Sequence, residues 1–332
     1  MNDNLLTCSL EEFFDHHLPN PGIELDVVVE DLKKQKALVS RDRSLHQKAT
    51  SSSHRPAFSH TFKAFKSLFR SRTASATNVV KALQTVSNTV RKALGRATDS
   101  RASEVSGSGI AVEAKVEHVV YGCITPNLHS EGPLHPTDVE VPITVLPQGD
   151  DLISSKDPAT FLSRLAQVMN EDARRRFCYG TTFQGSEVTL WRFTRSVSVK
   201  STPFDMIDHP DLLTRLFIAF FLSPRDHLGY DPLVTLLPDL SYVYEIPSSG
   251  PAAHLYYKTI ASPIWDAQPK HISGRTSRVW EVEQVESASS PICIPGTSSR
   301  VLKDVFLDSE APTEAEIQDA LFTDITVAKS EH

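Results

Sequence analysis

A chain of 332 residues, 40% of them hydrophobic, is long enough to build two domains with real cores. Its four cysteines, Cys8, Cys123, Cys178 and Cys293, lie far apart with no C-x-x-C spacing, which excludes a disulfide framework and a cysteine-based zinc site and leaves reduced thiols as the expectation. The formal net charge of −7 hides an asymmetry: between Lys33 and Arg101 stand 16 Lys and Arg against only Asp42 and Asp99, so the remainder is strongly acidic.

The start, MNDNLLTCSLEEFFDHH, lacks a basic stretch followed by an apolar one, so an intracellular protein, in cytoplasm or nucleus and not secreted, is expected. Leu10–Leu18 is predicted as a short amphipathic helix with Ser9 as N-cap and Glu12 completing a capping box. Pro19-Asn20-Pro21-Gly22 stops it. Ile23–Glu30 reads as a strand or the start of a second helix. From Lys33 to about Ala57 the Lys/Arg/Ser-rich sequence has no usable period and reads as a flexible linker.

Phe58, Phe62, Phe65 and Phe69 recur at helical spacing within Phe58–Arg72, and Val79, Val80, Leu83, Val86, Val90 and Leu94 do so within Thr77–Leu94. Such basic amphipathic helices either face an anionic surface or a partner's groove, or pack on the acidic remainder of their own chain. Most amphipathic helices face a core, which favours the second reading. No base-reading motif or aromatic interleaving accompanies the charges, so nucleic acid is not expected.

After a second Ser/Gly-rich linker, Gly95–Gly109, strands are predicted over Val112–Tyr121 and Asp138–Leu146, then a helix over Phe161–Met169. A hairpin follows: Phe177–Phe183 and Glu187–Phe193 are strand-like runs, and Gln184-Gly185-Ser186 supplies the glycine that a tight turn needs. Neither face of the second run is cleanly polar, as befits a strand covered on both sides. Strand, helix, strand in this order points to an α/β sheet. Leu212–Leu222, broken by Arg215, is a buried helix and too short to span a membrane. Arg174-Arg175-Arg176 reads as a solvated helix end. His129, His135 and Asp138 match no metal spacing and read as exposed loop residues. No G-x-S-x-G, H-E-x-x-H or Walker-type loop occurs, and neither a catalytic nor a metal-ligating set is assigned.

In the last third, strands Leu255–Ile260, Arg278–Val285 and Arg300–Phe306 follow one another. His271-Ile272-Ser273-Gly274-Arg275-Thr276-Ser277 separates the first pair. The third strand carries Val301-Leu302-Lys303, and the helix Thr313–Leu321 beyond it holds Glu314 and Glu316. Strand, glycine turn, strand, then a lysine-bearing strand and an acidic helix is the order of a protein-kinase small lobe, where the lysine meets nucleotide phosphates and a helix glutamate holds it.

Together with SLEEFFDHHLP, RRRFCYGTTFQGSEVTLWRFTRS, STPFD, LGYDP, GRTSRVWEV and VLKDVF, this pattern resembles the fungal-type protein kinase domain family of filamentous fungi, over most of residues 110–325. The resemblance implies a Ser/Thr kinase-like protein with ATP as ligand, bordered by Gly274 and Val279, its phosphates on Lys303 and Glu316 as the helix partner. It also implies that the catalytic-loop Asp and Asn and the metal-binding Asp of the D-F-G element are absent, so the chain is expected to be truncated, unable to transfer phosphate alone, and without Mg²⁺ unless the missing lobe is supplied. The turn has Gly274 alone, and Ile143-Thr144-Val145-Leu146 occupies a strand that in the family commonly carries an acidic residue and a lysine.

The expected fold is α/β in the α+β sense: residues 1–32 an N-terminal helical segment, 33–110 a basic, partly disordered arm with amphipathic helices, 111–245 a mixed-sheet central domain, and 246–332 an incomplete kinase-like small-lobe sheet with one helix. The expected partner is a protein or the missing kinase large lobe. The alternative reading is an interaction module in which the central domain and basic arm bind a partner or an anionic surface.

Overall fold

A computed structural model describes residues 5–40, 58–66, 68, 75–97, 107–116, 119–128, 133–146, 157–248, 254–267, 276–307 and 311–330. The chain has the mixed α+β character expected and divides into two compact units, Met1–Thr235 and Leu236–His332. Of the linkers expected at Lys33–Ala57 and Gly95–Gly109, residues 41–57 and 98–106 lie outside the described residues, while Lys33–Lys34 and Gly95–Ala97 end helices, Leu38–Ser40 is a strand and Gly109 begins one.

The first unit opens with β1 (Leu5–Cys8) and α1 (Leu10–Glu12), which runs on as a π-helical turn over Phe13–His17. The capping box is present: the Ser9 amide donates to Glu12 Oε2 at 2.8 Å and the Glu12 amide to Ser9 Oγ at 3.2 Å. Helix α2 (Leu25–Lys34) and strand β2 (Leu38–Ser40) follow. The helix expected over Phe58–Arg72 is replaced, where residues are described, by strand β3 (His60–Phe62) and a 3-10 turn at Lys63–Phe65. Leu38 pairs across to Phe62, and Phe62 meets Phe65 edge-on at 5.9 Å, so both rings reach the core without a helical stripe.

Helix α3 (Ala76–Ala97) buries Val79, Val80, Leu83, Val86, Val90 and Leu94 in the core of its own unit, as the core-facing reading of this stripe requires. Strands β4 (Gly109–Val116), β5 (Val119–Thr125) and β6 (Val141–Leu146) form a meander. Helix α4 (Asp157–Glu171) then crosses over to β7 (Phe177–Gln184), which pairs parallel to β6, the strand–helix–strand unit expected from the sequence. Gly185, at φ 59°, turns β7 into β8 (Glu187–Thr194) as expected, but Gln184 stands opposite Glu187, so the turn is one residue shorter than the Gln184–Ser186 loop the sequence suggested. Strands β9 (Ser198–Ser201) and β10 (Phe204–Asp205) both pair with β8, and helix α5 (Pro210–Leu222) follows. The sheet runs β1-β9-β8-β7-β6-β5-β4, with β1 parallel to β9.

Alternation along β7 and β8 assigns the two faces. Tyr179 points to α5, its ring 5.7 Å from Phe220, while Trp191 and Phe193 point to α4, 5.6 and 6.3 Å from Phe161. Gly180, on the α4 side, leaves room for Phe161 and Leu165: a Cβ there would fall 2.9 Å from Phe161 Cζ. The hairpin is therefore covered on both sides, as its two-faced composition predicted.

One expectation is corrected here. Arg174 and Arg175 are buried, not a solvated helix end. Asp172, fully buried, accepts from Arg174 Nε at 2.9 Å and Nη2 at 2.7 Å. Arg175 lies 3.7 Å from the Tyr230 ring centroid and donates to the Tyr230 hydroxyl at 2.5 Å and to the Val139 carbonyl. Two guanidiniums tolerate burial because carboxylate, carbonyl and aromatic partners surround them, although Arg175 Nε, 3.8 Å from Asp172 Oδ2, makes no hydrogen bond. Gly229, at φ +95°, makes the turn that brings Tyr230 in, and a Cβ on it would sit 2.0 Å from the Phe177 carbonyl oxygen.

The second unit is an antiparallel sheet: β11 (Val234–Leu236, at the division), β12 (Tyr242–Pro247), β13 (His254–Thr259), β14 (Trp265–Ala267), β15 (Ser277–Val285) and β16 (Arg300–Val305), followed by helix α6 (Glu314–Ser330). Residues 277–279 of β15 pair with β14 and β16 at once, so those two strands flank β15 on opposite sides.

Candidate functional site

β14 was not among the strands expected from the sequence, and it defines the site. It pairs antiparallel with β15, Trp265 opposite Val279 and Ala267 opposite Ser277. Gly274 lies outside the described residues. On the other side of β15, Val279 is opposite Lys303. Directly opposed residues in an antiparallel sheet project to the same face. Trp265, Val279 and Lys303 thus form one cross-strand row, and Trp265 is 63% exposed.

On the opposite face the neighbouring row is Asp266, Arg278 and Asp304. Arg278 is buried with its Nε 3.5 Å from Asp266 Oδ1, and the Tyr244 hydroxyl donates to Asp304 Oδ2 at 3.3 Å. Burial, followed by the nearby Asp304 carboxylate, pushes the Tyr244 hydroxyl well above its ordinary range. Trp280 is buried on this face too, 5.8 Å from the ring of Tyr242.

The lysine ammonium is held from the helix. Lys303 Nζ pairs with Glu314 Oε1 at the first turn of α6. Glu316, the residue expected to hold the lysine, instead closes the helix cap: its Oε2 accepts from the Thr313 amide at 2.7 Å and the Thr313 hydroxyl at 2.8 Å, and its own amide donates to Thr313 Oγ1 at 3.2 Å. Those bonds from the Thr313 amide and hydroxyl hold the Glu316 carboxyl below the usual carboxylate range. The sequence carried a signal for this division of labour, since Thr313-Glu314-Ala315-Glu316 has the T-x-x-E spacing of a capping box, which commits the second glutamate to the backbone. Chemically, the row offers a tethered cation for an anionic group, an aliphatic side chain beside it, and an exposed aromatic surface beyond.

The other candidate residues build turns or core. His135 caps the 3-10 turn Pro136–Asp138, Asp138 Oδ1 accepts from Asn127 Nδ2 at 2.6 Å, and Asp138 Oδ2 accepts from the His135 amide at 3.1 Å. His129 lies outside the described residues. Ile143–Leu146 lies within β6, every residue of which is buried. Among the described residues no cluster of His, Cys, Asp and Glu is arranged to hold a metal ion, and no helix is long and apolar enough to cross a membrane.

Comparison with known proteins agrees with the family resemblance. The family model described as fungal protein kinase matches residues 123–325. No curated protein and no solved structure matches the chain. The matched span covers more than half of the 332 residues and runs from β5 through the hairpin of β7 and β8 to Lys303, Glu314 and most of α6. This chain belongs to the fungal protein kinase family.

Proposed function

We propose that the second unit is a kinase-type nucleotide-binding sheet, in which ATP lies along the row Trp265, Val279 and Lys303. Lys303 meets the phosphates and Val279 borders the nucleotide, with Gly274 assigned to the same border by the family resemblance alone. Glu314 holds the lysine forward, and Glu316 serves indirectly by capping the helix that carries Glu314. The single observation that carries this reading is the pair Lys303 and Glu314: a lysine on β16, beside β15, tied to the first turn of the following helix. That is the arrangement by which kinases hold a phosphate-binding lysine.

We infer nucleotide binding without phosphoryl transfer by these 332 residues alone. Transfer needs a base for the hydroxyl and carboxylates for Mg²⁺, and neither an H-R-D nor a D-F-G run occurs in the sequence. ATP is the proposed ligand, and a protein partner fits the exposed apolar residues Ile317, Leu321, Phe322 and Ile325 along α6.

The test is a thermal melt of the full chain with ATP, with and without Mg²⁺, beside Lys303→Met. A ligand that binds only the folded state raises its stability by about 2.7 kcal/mol at one hundred times its Kd. A rise in Tm that the substitution removes supports the reading. A cooperative melt unmoved by nucleotide sinks it.

A further inference from the structure

Lysines gather in the first unit where the end of α2 meets the 3-10 turn after β3. Lys34 closes α2 and Lys36 lies just beyond it, while Lys63 opens the 3-10 turn and Lys66 follows it. The Lys63 amide donates to the Ala37 carbonyl at 2.8 Å and the Lys66 amide to the Lys63 carbonyl at 3.2 Å, which places these lysines in one patch. Lys34, Lys36, Lys63 and Lys66 are all exposed. Residues 33–40 and 58–66 contain no Asp or Glu. The carboxylates in the later turns of α2 are committed elsewhere, Glu30 to Lys33 at 2.7 Å and Asp31 to Arg96 at 2.6 Å.

Cations in the last turn of a helix answer its dipole, which accounts for Lys34. It does not account for Lys36. This residue stands at φ 56°, in the left-handed region, where its amide donates to the Lys33 carbonyl at 2.9 Å and the Ala37 amide to the Leu32 carbonyl at 3.0 Å. Helices are commonly closed at this position by glycine, because a Cβ is unfavourable there. Lysine in its place keeps a charge in the patch at a cost in stability, and backbone outliers of this kind gather at functional sites.

The chemistry of the patch specifies its partner. Lysine ammoniums are point charges on flexible stems, without the planar fork by which arginine selects a single phosphate or carboxylate. The two phenylalanines beside Lys63, Phe62 and Phe65, are buried and offer nucleic-acid bases nothing to stack on. A diffuse cationic surface of this kind matches the negative potential of an anionic lipid leaflet. We propose that the Lys34, Lys36, Lys63 and Lys66 patch docks the first unit peripherally, by charge, on a membrane leaflet that carries anionic lipid. The docking goes beyond the nucleotide-binding reading and does not rest on it.

The test is flotation of the full chain with phosphatidylcholine vesicles, with and without phosphatidylserine, at low and high salt. The native chain is expected to float only with the phosphatidylserine vesicles and to be released by salt. Lys36→Gly, Lys63→Gln and Lys66→Gln should each weaken the partition about 5-fold, one lysine's share at a charged leaflet. Lys36→Gly should at the same time raise Tm, because glycine accepts the left-handed backbone; a lysine with a purely structural role would not trade stability for binding. Lys115→Gln, which removes the same charge from an exposed position on β4, should leave the partition unchanged. The proposal is overturned by a native chain that ignores phosphatidylserine, by lysine variants of the patch that bind as native, or by a Lys115→Gln effect of the same size. Weaker binding with a lower Tm in all three patch variants would trace the loss to damaged folding and overturn it. Tighter binding to duplex DNA than to the vesicles would assign the patch to nucleic acid and overturn it too.

Discussion

Trp265 and Lys303 mark the two ends of one cross-strand row, with Val279 between them on β15. The other two tryptophans, Trp191 and Trp280, are buried. Nucleotide lying along the row is therefore expected to change the emission of Trp265 selectively, because a base stacking on its exposed ring removes it from water. Titrating ATP should quench the native chain and leave Trp265→Leu unchanged. Equal quenching in both would place the base elsewhere.

The two glutamates of α6 separate under mutation. Glu314→Gln loosens Lys303 and should weaken nucleotide binding by about 2–5-fold, the scale of a solvent-exposed ion pair. Glu316→Gln trades a charged cap acceptor for a neutral one and should lower the melting temperature slightly while leaving affinity close to native. Calorimetric titration beside a thermal melt of each variant reads both effects. Loss of binding in Glu316→Gln with Glu314→Gln unaffected would return the lysine-holding role to Glu316.

The buried ionic cluster of the first unit gives the largest stability prediction. Asp172→Ala leaves Arg174 and Arg175 without their shared carboxylate and should destabilise by roughly 3–5 kcal/mol. Gly229→Ala forces an unfavourable backbone conformation, on the order of 1–3 kcal/mol by itself, and adds the collision with the Phe177 carbonyl. Urea unfolding followed by circular dichroism checks both. A midpoint within error of native for Asp172→Ala would mean that the cluster is not the clasp described.

How much of this was legible in the sequence depends on how local each interaction is. The Ser9–Glu12 capping box and the Gly185 turn are fixed by residues a few positions apart and were readable, while the crossover from β6 through α4 to β7 was legible from the order of strand, helix and strand patterns. The burial of Arg175 was not, because its partner Tyr230 is 55 residues away and nothing local distinguishes a paired arginine from a solvated one. β14 escaped because three residues with an exposed tryptophan carry no alternation to detect. The Phe58–Phe65 stripe misled because pairing of Leu38 with Phe62 outweighed helix periodicity.

A pH effect is expected at His17. Burial chiefly, then the charges of Arg192 and His16, lowers its affinity for a proton, with Glu12 opposing. The unfolded chain therefore binds this proton more readily than the folded one just below pH 6.5, so stability falls as pH drops through that window and stays intact above it. His17→Gln should flatten this part of the stability profile between pH 7 and 5. An unchanged slope would assign the acid sensitivity to other groups.

Thiol chemistry separates the cysteines. Burial, helped at Cys123 by the Glu140 and Asp138 carboxylates, pushes both Cys123 and Cys178 up to about 12. At pH 8 both should resist iodoacetamide in the folded chain and react on unfolding, since the thiolate is the nucleophile. Peptide mapping by mass spectrometry reads this site by site, and rapid native labelling of Cys178 would contradict the two-sided cover of β7.

That cover has a consequence for exchange with solvent deuterium. Residues 181–184 of β7 have neighbours along both edges, β6 on one side and β8 on the other, with helices above and below the sheet. An amide so enclosed is released only when its whole unit opens, so its exchange rate measures the global unfolding equilibrium of the first unit. Those few amides serve as a built-in gauge of stability, readable without denaturant.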